Sequence, residues 1–459
     1  MDQPIVRFAP SPTGYLHIGG ARTALINYIF AKQNNGKFLL RIEDTDNERN
    51  TKECIQAIFD SLKWLNIEYD GEPVIQSANS KHHIEVAKNL LEKDKAYYCF
   101  CSSEELDNHR NDCLKKGISP SYSKKCRNLT EEQRTHSLKL NSNPVIRLKV
   151  PDEDLYVTIN DMIKGKISIH YNQLDDFILL RSDNTPVYML SVVVDDHDMN
   201  ITHVIRGEDH FTNTFRQIIL YKLNDWKIPQ FGHLPLIHGN DGKKLSKRYN
   251  AVGTDDYKQL GYLPDGLKIY LATMGTNINV TGSFDTVVKD FKIGKLSKSA
   301  TQFDINFLDL INQKIMKTRI PKDIIPYMIP FVETKILRKL NDNDIHMIER
   351  AYPDIVSRAK SLIECADLLE MYFKGDPFKA ELINKEQYNY LKAFLPVVNF
   401  ETNKTIKTDI IKFSEENSLA INDLVNMLRI VITGKESCPS IYNILYSLGK
   451  ENSIFRFNL

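Results

Sequence analysis

A chain of 459 residues has room for two to four domains, each large enough to bury its own core. With 42% hydrophobic and 26% charged residues it has the composition of an ordinary globular protein, which excludes disordered and fibrous classes. Sixty basic residues against 59 acidic ones leave a formal charge of +1, so a polyanionic partner has to be met by local patches.

Ile5-Val6-Arg7-Phe8-Ala9 reads as a strand stopped by Pro10-Ser11-Pro12-Thr13-Gly14, since proline cannot donate to a ladder. Ala21, Ala24, Leu25, Tyr28 and Ile29 then recur at helical spacing, and Gly36 closes that helix. Phe38-Leu39-Leu40-Arg41-Ile42 is a near-continuous apolar run, as in a parallel strand covered on both faces. Together these predict a right-handed crossover in a doubly wound α/β sheet. Residues 76–189 change to short mixed segments around Cys99, Cys101, Cys113 and Cys126 and read as an inserted domain. Sheet-like runs return at Ser191-Val192-Val193-Val194 and His203-Val204-Ile205-Arg206, with a helix from Thr212 to Leu223. Beyond residue 320 glycines are few, and periodic segments such as Asp344 to Phe373 predict an all-helical last third. The longest apolar runs, such as Tyr188 to Val194, are far too short to span a membrane. Seven cysteines and an opening without a secretory pattern lead us to expect a reducing, cytoplasmic setting.

Two segments carry chemistry. Pro10 to Gly20, with His17-Ile18-Gly19-Gly20 at its end, hands a strand over to a helix whose free N–H groups and dipole suit phosphate. His17 either donates to a phosphate oxygen or merely caps the helix. Asp241-Gly242-Lys243-Lys244-Leu245-Ser246-Lys247-Arg248 is either a solvated loop or a cationic one that neutralises a departing pyrophosphate. Lys314, Lys317, Arg319 and Lys322 form a looser basic group.

These motifs, with Leu39-Leu40-Arg41-Ile42-Glu43-Asp44-Thr45-Asp46, Val194-Asp195-Asp196-His197, Val204-Ile205-Arg206-Gly207-Glu208-Asp209-His210 and Gly261-Tyr262-Leu263-Pro264, resemble a class I aminoacyl-tRNA synthetase. The likeness is to the bacterial-type glutamyl-tRNA synthetases and extends over essentially the whole chain. It implies a Rossmann-type catalytic domain in two halves (1–75 and 190–240), an inserted acceptor-end-binding domain (76–189), a lysine-loop and stem-contact region (241–320) and a helical anticodon-binding domain (321–459). His17, Gly19, Gly20, Lys244, Ser246 and Lys247 match the ATP site, with His17, Lys247 and Lys244 as the catalytic group. Arg7, Ser11, Glu43, Tyr188 and Arg206 match the glutamate site. Guanidinium groups suit the two carboxylates of glutamate and Glu43 suits its ammonium, with Arg206 assigned to the side-chain carboxylate. Alternatively, Arg7 and Arg206 are strand residues paired with neighbouring acids. The implied reaction joins L-glutamate to tRNA through a glutamyl-adenylate, with ATP and Mg2+, the tRNA being needed even for the first step.

This chain departs from the family pattern in places. Gly20 stands where many class I enzymes have a second histidine, Leu245 replaces a methionine, and Tyr249-Asn250 follows the lysine loop where histidine and glycine are common. Lys295-Leu296-Ser297-Lys298 echoes the lysine motif in a stretch read as helical, and is taken as a decoy. Cys99, Cys101 and Cys126 resemble the zinc knuckle of some members, but Asn128 occupies the position of a histidine ligand. Cys113 or His109 could supply a fourth donor. Zinc stays open and no metal ligand is assigned. Cys365 and Cys438 read as buried helix thiols, and Arg358 as an anticodon reader or a solvated helix arginine. The partners expected are tRNA, L-glutamate and ATP, no membrane is involved, and a monomer is expected. The rival readings are a shorter relative that attaches glutamate to a modified base but lacks the anticodon-binding third, a glutaminyl-tRNA synthetase, whose C-terminal part should be β-rich, a nondiscriminating or specialised paralogue that glutamylates glutamine tRNA, and a tRNA-binding paralogue without catalysis.

Overall fold

The computed structural model describes residues 3–45, 50–118, 120–140, 143–152, 155–239, 253–278, 283–373, 384–434 and 439–457. The chain divides into two compact units: Met1–Asp255 with Leu271–Phe303, and Asp256–Tyr270 with Asp304–Leu459.

In the first unit β1 (Ile5–Phe8), α1 (Ile18–Gln33) and β2 (Lys37–Ile42) form the expected parallel crossover, with Arg7 in register with Leu39. Helix α1 ends at Asn34, Asn35 takes φ 50°, and Gly36 follows where an added Cβ would lie 2.2 Å from the Pro4 carbonyl oxygen. Glycine is therefore required at that corner. After α2 (Lys52–Trp64), β3 (Val74–Ile75) pairs parallel with β2. Then come α3 (Ser80–Glu92), β4 (Ala96–Cys99), α4 (Ser103–Lys115), α5 (Glu131–Leu140) and β5 (Val145–Leu148). The hairpin β6 (Tyr156–Asp161) and β7 (Gly165–His170) and the strand β8 (Ile178–Leu180) follow, and β4, β5 and β8 make an antiparallel sheet.

Helix α6 (Tyr188–Asp198) corrects one expectation: Ser191 to Val194 is helical, not a strand. The segment is buried on almost every side, from Leu190 to Asp196, and a short apolar run in such a place looks the same in sequence whether helix or strand. Next, β9 (His203–Gly207), α7 (Phe211–Leu223) and β10 (Gln230–Leu234) give a second parallel pair. Thr202 brings β9 beside β1: its N–H donates to the Ile5 carbonyl at 2.9 Å and its hydroxyl accepts from the Ile5 N–H at 2.8 Å. One apolar core runs from Val86 and Leu90 through Leu148 and Leu180 to Val193, Ile219 and Phe231. β11 (Ile237–His238), α10 (Phe284–Asp290) and β12 (Thr301–Gln302) complete this unit, whereas α8 (Thr254–Gln259) and α9 (Pro264–Thr273) lie mostly within Asp256–Tyr270 of the second. Lys295 closes a single 3-10 turn and Leu296 is extended, so Lys295 to Lys298 is loop and not the helical stretch expected.

The second unit is helical from α11 (Ile305–Thr318) through α12 (Pro321–Ile336), α13 (Asp342–Arg358), α14 (Leu362–Phe373), α15 (Lys385–Phe394), α16 (Asn403–Glu416) and α17 (Ile421–Thr433) to α18 (Ile441–Phe457). Asp304 caps α11 by accepting from the N–H groups of Asn306 and Phe307, and Asn341 with Asp344 makes a capping box on α13. Ile348, Ile355, Leu369, Leu424, Leu428 and Leu445 are fully buried. The periodic stretch Asp344 to Phe373 is two helices, broken after Arg358. Cys365 is a buried helix thiol as expected, and Cys438 lies outside the described residues. Arg358 is exposed at the end of α13, 3.5 Å from Asp354. No helix among the described residues is long and apolar enough to cross a membrane.

Candidate active site

A cavity of about 620 Å³ opens where β1, β2 and β9 end, and it is lined by Arg7, Ser11, His17, Gly19, Gly20, Glu43, Tyr188 and Arg206 together. Every described member of the two candidate sets therefore meets at one place, outside the carboxyl ends of parallel strands.

At one end lies the start of α1. His17 is the N-cap residue, and its Nδ1 accepts from the Gly20 N–H at 3.2 Å. A ring nitrogen that accepts carries no proton, so the imidazole proton sits on Nε2. Capping and phosphate donation are thus compatible in one side chain, through different nitrogens. A Cβ at Gly20 would come within 2.7 Å of Leu16 Cδ1, so a second histidine there would have to displace a buried leucine. The flanks of the cationic segment also reach this point: Ile237 lines the cavity, and Gly253 bridges to His17 while the Thr254 N–H donates to the Leu16 carbonyl at 2.9 Å. Lys243, Lys244, Ser246 and Lys247 themselves lie outside the described residues.

At the other end the charges are sorted unequally. Arg7 makes a two-point pair with Asp196, at 2.9 and 3.2 Å, and Arg41, with no exposed surface, donates to Asp196 at 2.7 Å and to Glu43 at 3.0 Å. Asp195 accepts from Gln76, Asn79 and His83 at 2.7, 2.8 and 2.7 Å. Burial pushes the Asp196 carboxyl up, but Arg7 and Arg41 outweigh it and hold the group below the usual carboxylate range. Glu43 goes the other way: burial outweighs Arg41 and leaves its carboxyl raised.

Arg206 stands apart. It is 6% exposed and has only neutral partners among the described residues: Thr214 and Gln217 at 2.7 and 2.6 Å, the His210 carbonyl and the Tyr188 hydroxyl at 3.4 Å, and His233 at 3.3 Å. Burial accordingly pulls its guanidinium below the ordinary value. The Tyr188 hydroxyl accepts from Arg206 and shares a hydrogen bond with His210 Nδ1 at 3.0 Å. Ser11 is exposed at the cavity rim.

Residue-type reasoning gave no role to Arg41, Asp195 and Asp196, although the motifs contain them. The signal available was strand alternation, which puts Arg41 on β2 and Glu43, one residue past its end, on the same side. For the two aspartates nothing local tells which arginine they meet.

The cysteine group is a second, separate cluster. Sulfur atoms of Cys99, Cys101 and Cys126 all lie within 4.8 Å of one another, with Cys101 and Cys126 3.6 Å apart. Tetrahedral zinc with bonds of about 2.3 Å requires sulfurs about 3.8 Å apart, which the Cys101–Cys126 pair nearly meets. Cys113 and His109 pair with each other instead, and Asn128 is exposed. The Tyr122 hydroxyl lies beside the sulfurs, 3.2 Å from Cys99 Sγ and 3.6 Å from Cys101 Sγ. A hydrogen bond from Cys126 is the main cause that draws the Cys99 thiol down, and the same contact raises Cys126.

A family model for tRNA synthetases class I (E and Q), catalytic domain, matches residues 5–310, and one for an anticodon binding domain matches 322–459. Glutamate–tRNA ligase 2 of Ehrlichia chaffeensis is 41% identical, covering 98% of this chain and 97% of that protein, and glutamate–tRNA ligase 2 of Brucella ovis is 40% identical over 99% of both. The crystal structure of a glutamate tRNA ligase from Elizabethkingia meningosepticum, in complex with its amino acid, superimposes with a TM-score of 0.85 at 30% identity, covering 100% of this chain and 99% of that one. The chain belongs to the glutamate–tRNA ligase family of class I tRNA synthetases.

Proposed function

We propose that this protein attaches L-glutamate to the 3′ end of tRNA in two steps, through a glutamyl-adenylate formed from ATP. The observation that carries the reading is Arg206: a buried guanidinium with no carboxylate partner among the described residues, facing the same cavity as a helix N-terminus. A buried unpaired charge is costly unless a ligand completes it. An acidic substrate does so, with its side-chain carboxylate on Arg206 and Tyr188. Arg7 contributes through Nη1, which makes no hydrogen bond to the described residues. The raised carboxyl of Glu43, which lines the cavity with Ser11, suits the substrate ammonium, because a cation there restores the ionised form.

The α-carboxylate then lies toward the start of α1, where it attacks the α-phosphorus of ATP. His17 Nε2–H and the N–H groups of Gly19 and Gly20 serve the phosphates, and Lys247, with Lys244 and Ser246, follows the departing pyrophosphate. Magnesium would offset the charge of the triphosphate. The terminal ribose hydroxyl of tRNA attacks the mixed anhydride in the second step. Residues 76–189 would hold the acceptor end, with Cys99, Cys101, Cys126 and Tyr122 able to hold a structural zinc ion, and residues 321–459 would read the anticodon.

The decisive experiment charges glutamate-specific and glutamine-specific tRNA in parallel with labelled glutamate, using glutamine as the control amino acid. Glutamate on the first tRNA is expected. Charging of the second as well identifies a nondiscriminating enzyme, and binding of tRNA without any charging refutes the reading.

A further inference from the structure

Arg206 on β9 and His233 on β10 are register partners in a parallel pair, so their side chains lie next to each other. His233 Nε2 is 3.3 Å from Arg206 Nε and 3.0 Å from Thr214 Oγ1, and its Nδ1 is 2.6 Å from Asp161 Oδ2. The imidazole has no exposed surface and Asp161 is 5% exposed. Arginine has donors only, so the nitrogen facing it must accept, and the ring proton is on Nδ1, donated to Asp161. A protonated ring would set one N–H against another. Burial and the charge of Arg206 outweigh the contacts with Asp161 and hold the imidazole below its ordinary value, which favours the same neutral form.

Asp161 is itself fixed. Its Oδ1 accepts the N–H groups of Ile163, Lys164 and His233 at 2.9, 2.8 and 3.2 Å, at the turn of the β6–β7 hairpin. The Met162 N–H fastens that hairpin to β10 through the Phe231 carbonyl at 2.8 Å. On the guanidinium, Nη2 is held by Thr214 and Gln217 and Nε by His233, which leaves Nη1, with only the long contact to Tyr188, as the edge for a ligand.

We propose that Asp161 and His233 are positioning residues that fix one imidazole tautomer and thereby aim Arg206 at the carboxylate of the acidic substrate. Neither touches the substrate, and the role rests on the reading of Arg206 given above. It also gives the hairpin a direct mechanical link to amino acid recognition.

Asp161→Asn tests it. The three backbone donors keep the amide oxygen in place, so the amide NH2 faces His233 Nδ1 and forces the other tautomer, whose Nε2–H opposes Arg206 Nε–H. We expect the glutamate KM in aminoacylation to rise about 10- to 30-fold, with kcat and the ATP KM within about twofold of wild type. His233→Leu should behave alike, whereas His233→Gln, which offers an acceptor to Arg206 and a donor to Asp161, should restore most of the glutamate affinity. The histidine pair carries the test alone if Asp161→Asn does not fold. Equal rises in both KM values, or an unchanged glutamate KM in Asp161→Asn and His233→Leu while wild type charges glutamate normally, would overturn the positioning role. Wild-type enzyme unable to use glutamate at all would overturn the reading of Arg206, and this inference with it.

Discussion

Arg7 and Asp196 meet at two points, Nε to Oδ1 at 2.9 Å and Nη2 to Oδ2 at 3.2 Å, while Arg206 in the same cavity meets no carboxylate among the described residues. Two arginines that look equivalent in sequence therefore differ in what their removal does. Arg7→Met leaves Asp196 buried with Arg41 as its remaining guanidinium partner, and should destabilise the fold by about 3 kcal/mol. Arg206→Met breaks no ion pair among the described residues, so the removal of a buried charge offsets the hydrogen bonds lost to Thr214 and Gln217 and the thermal midpoint should stay close to wild type, while kcat/KM for glutamate falls roughly 100-fold or more. Melting curves beside pyrophosphate-exchange kinetics separate the two. A strongly destabilised Arg206→Met would contradict the assignment.

The aspartates make the fold acid-sensitive in a defined window. Asp195 and Asp196 both have carboxyls held below the ordinary range, Asp195 by His83 and Arg41 and Asp196 by Arg7 and Arg41, against the opposing effect of burial. A depressed folded-state pKa contributes stability above the unfolded value, about 3.9, and that stability disappears as pH falls through the folded value. Wild-type protein should hold its thermal midpoint from neutral pH down to about pH 4 as far as these groups are concerned, and lose it steeply below. Asp196→Asn should melt lower at pH 7 but decline less between pH 4 and pH 2. Parallel curves for the two proteins would show that Asp196 does not supply this term.

His17 holds two jobs on two nitrogens, and substitution can divide them. His17→Asn keeps an N-cap acceptor for the start of α1 but removes the Nε2 donor, so the thermal midpoint should stay close to wild type while adenylation falls roughly 100-fold. His17→Ala removes both and should cost about 1 kcal/mol of stability in addition. If His17→Asn retained wild-type adenylation, the imidazole would be a cap and nothing more.

The cysteine cluster predicts its own metal content. Purified protein should carry one equivalent of zinc by elemental analysis, Cys126→Ser should lose it, and Tyr122→Phe should weaken binding to chelator by about 10- to 100-fold. Asn128→His should change nothing, because that side chain is exposed while the cysteine cluster is largely buried. Retention of full zinc affinity in Tyr122→Phe would remove the hydroxyl from the donor set.

Local pattern was enough for much of the architecture. The β1–α1–β2 crossover is legible because two prolines stop a strand, apolar residues then recur every three or four positions, and a glycine is forced where the chain turns under Pro4. The helical second unit is legible for the same reason, since each amphipathic helix advertises its buried face. The Ser191–Val194 run was not, because a helix buried nearly all round has the composition of a buried strand. The contact of the Tyr122 hydroxyl with Cys99 Sγ and the Cys126 N–H was not legible either, since only the packing of the chain brings that phenol to the cysteines.

What the sequence determined by itself is the kind of chemistry at each position: guanidinium at Arg7 and Arg206, carboxylate at Glu43, imidazole at His17 ahead of two glycines. What only the tertiary structure decided is which of these charges are spent within the protein. Asp196 reaches Arg7 across 189 positions of sequence and Asp161 reaches His233 across 72. Such pairings depend on where a helix and a hairpin come to rest on the sheet, and no local periodicity encodes that distance.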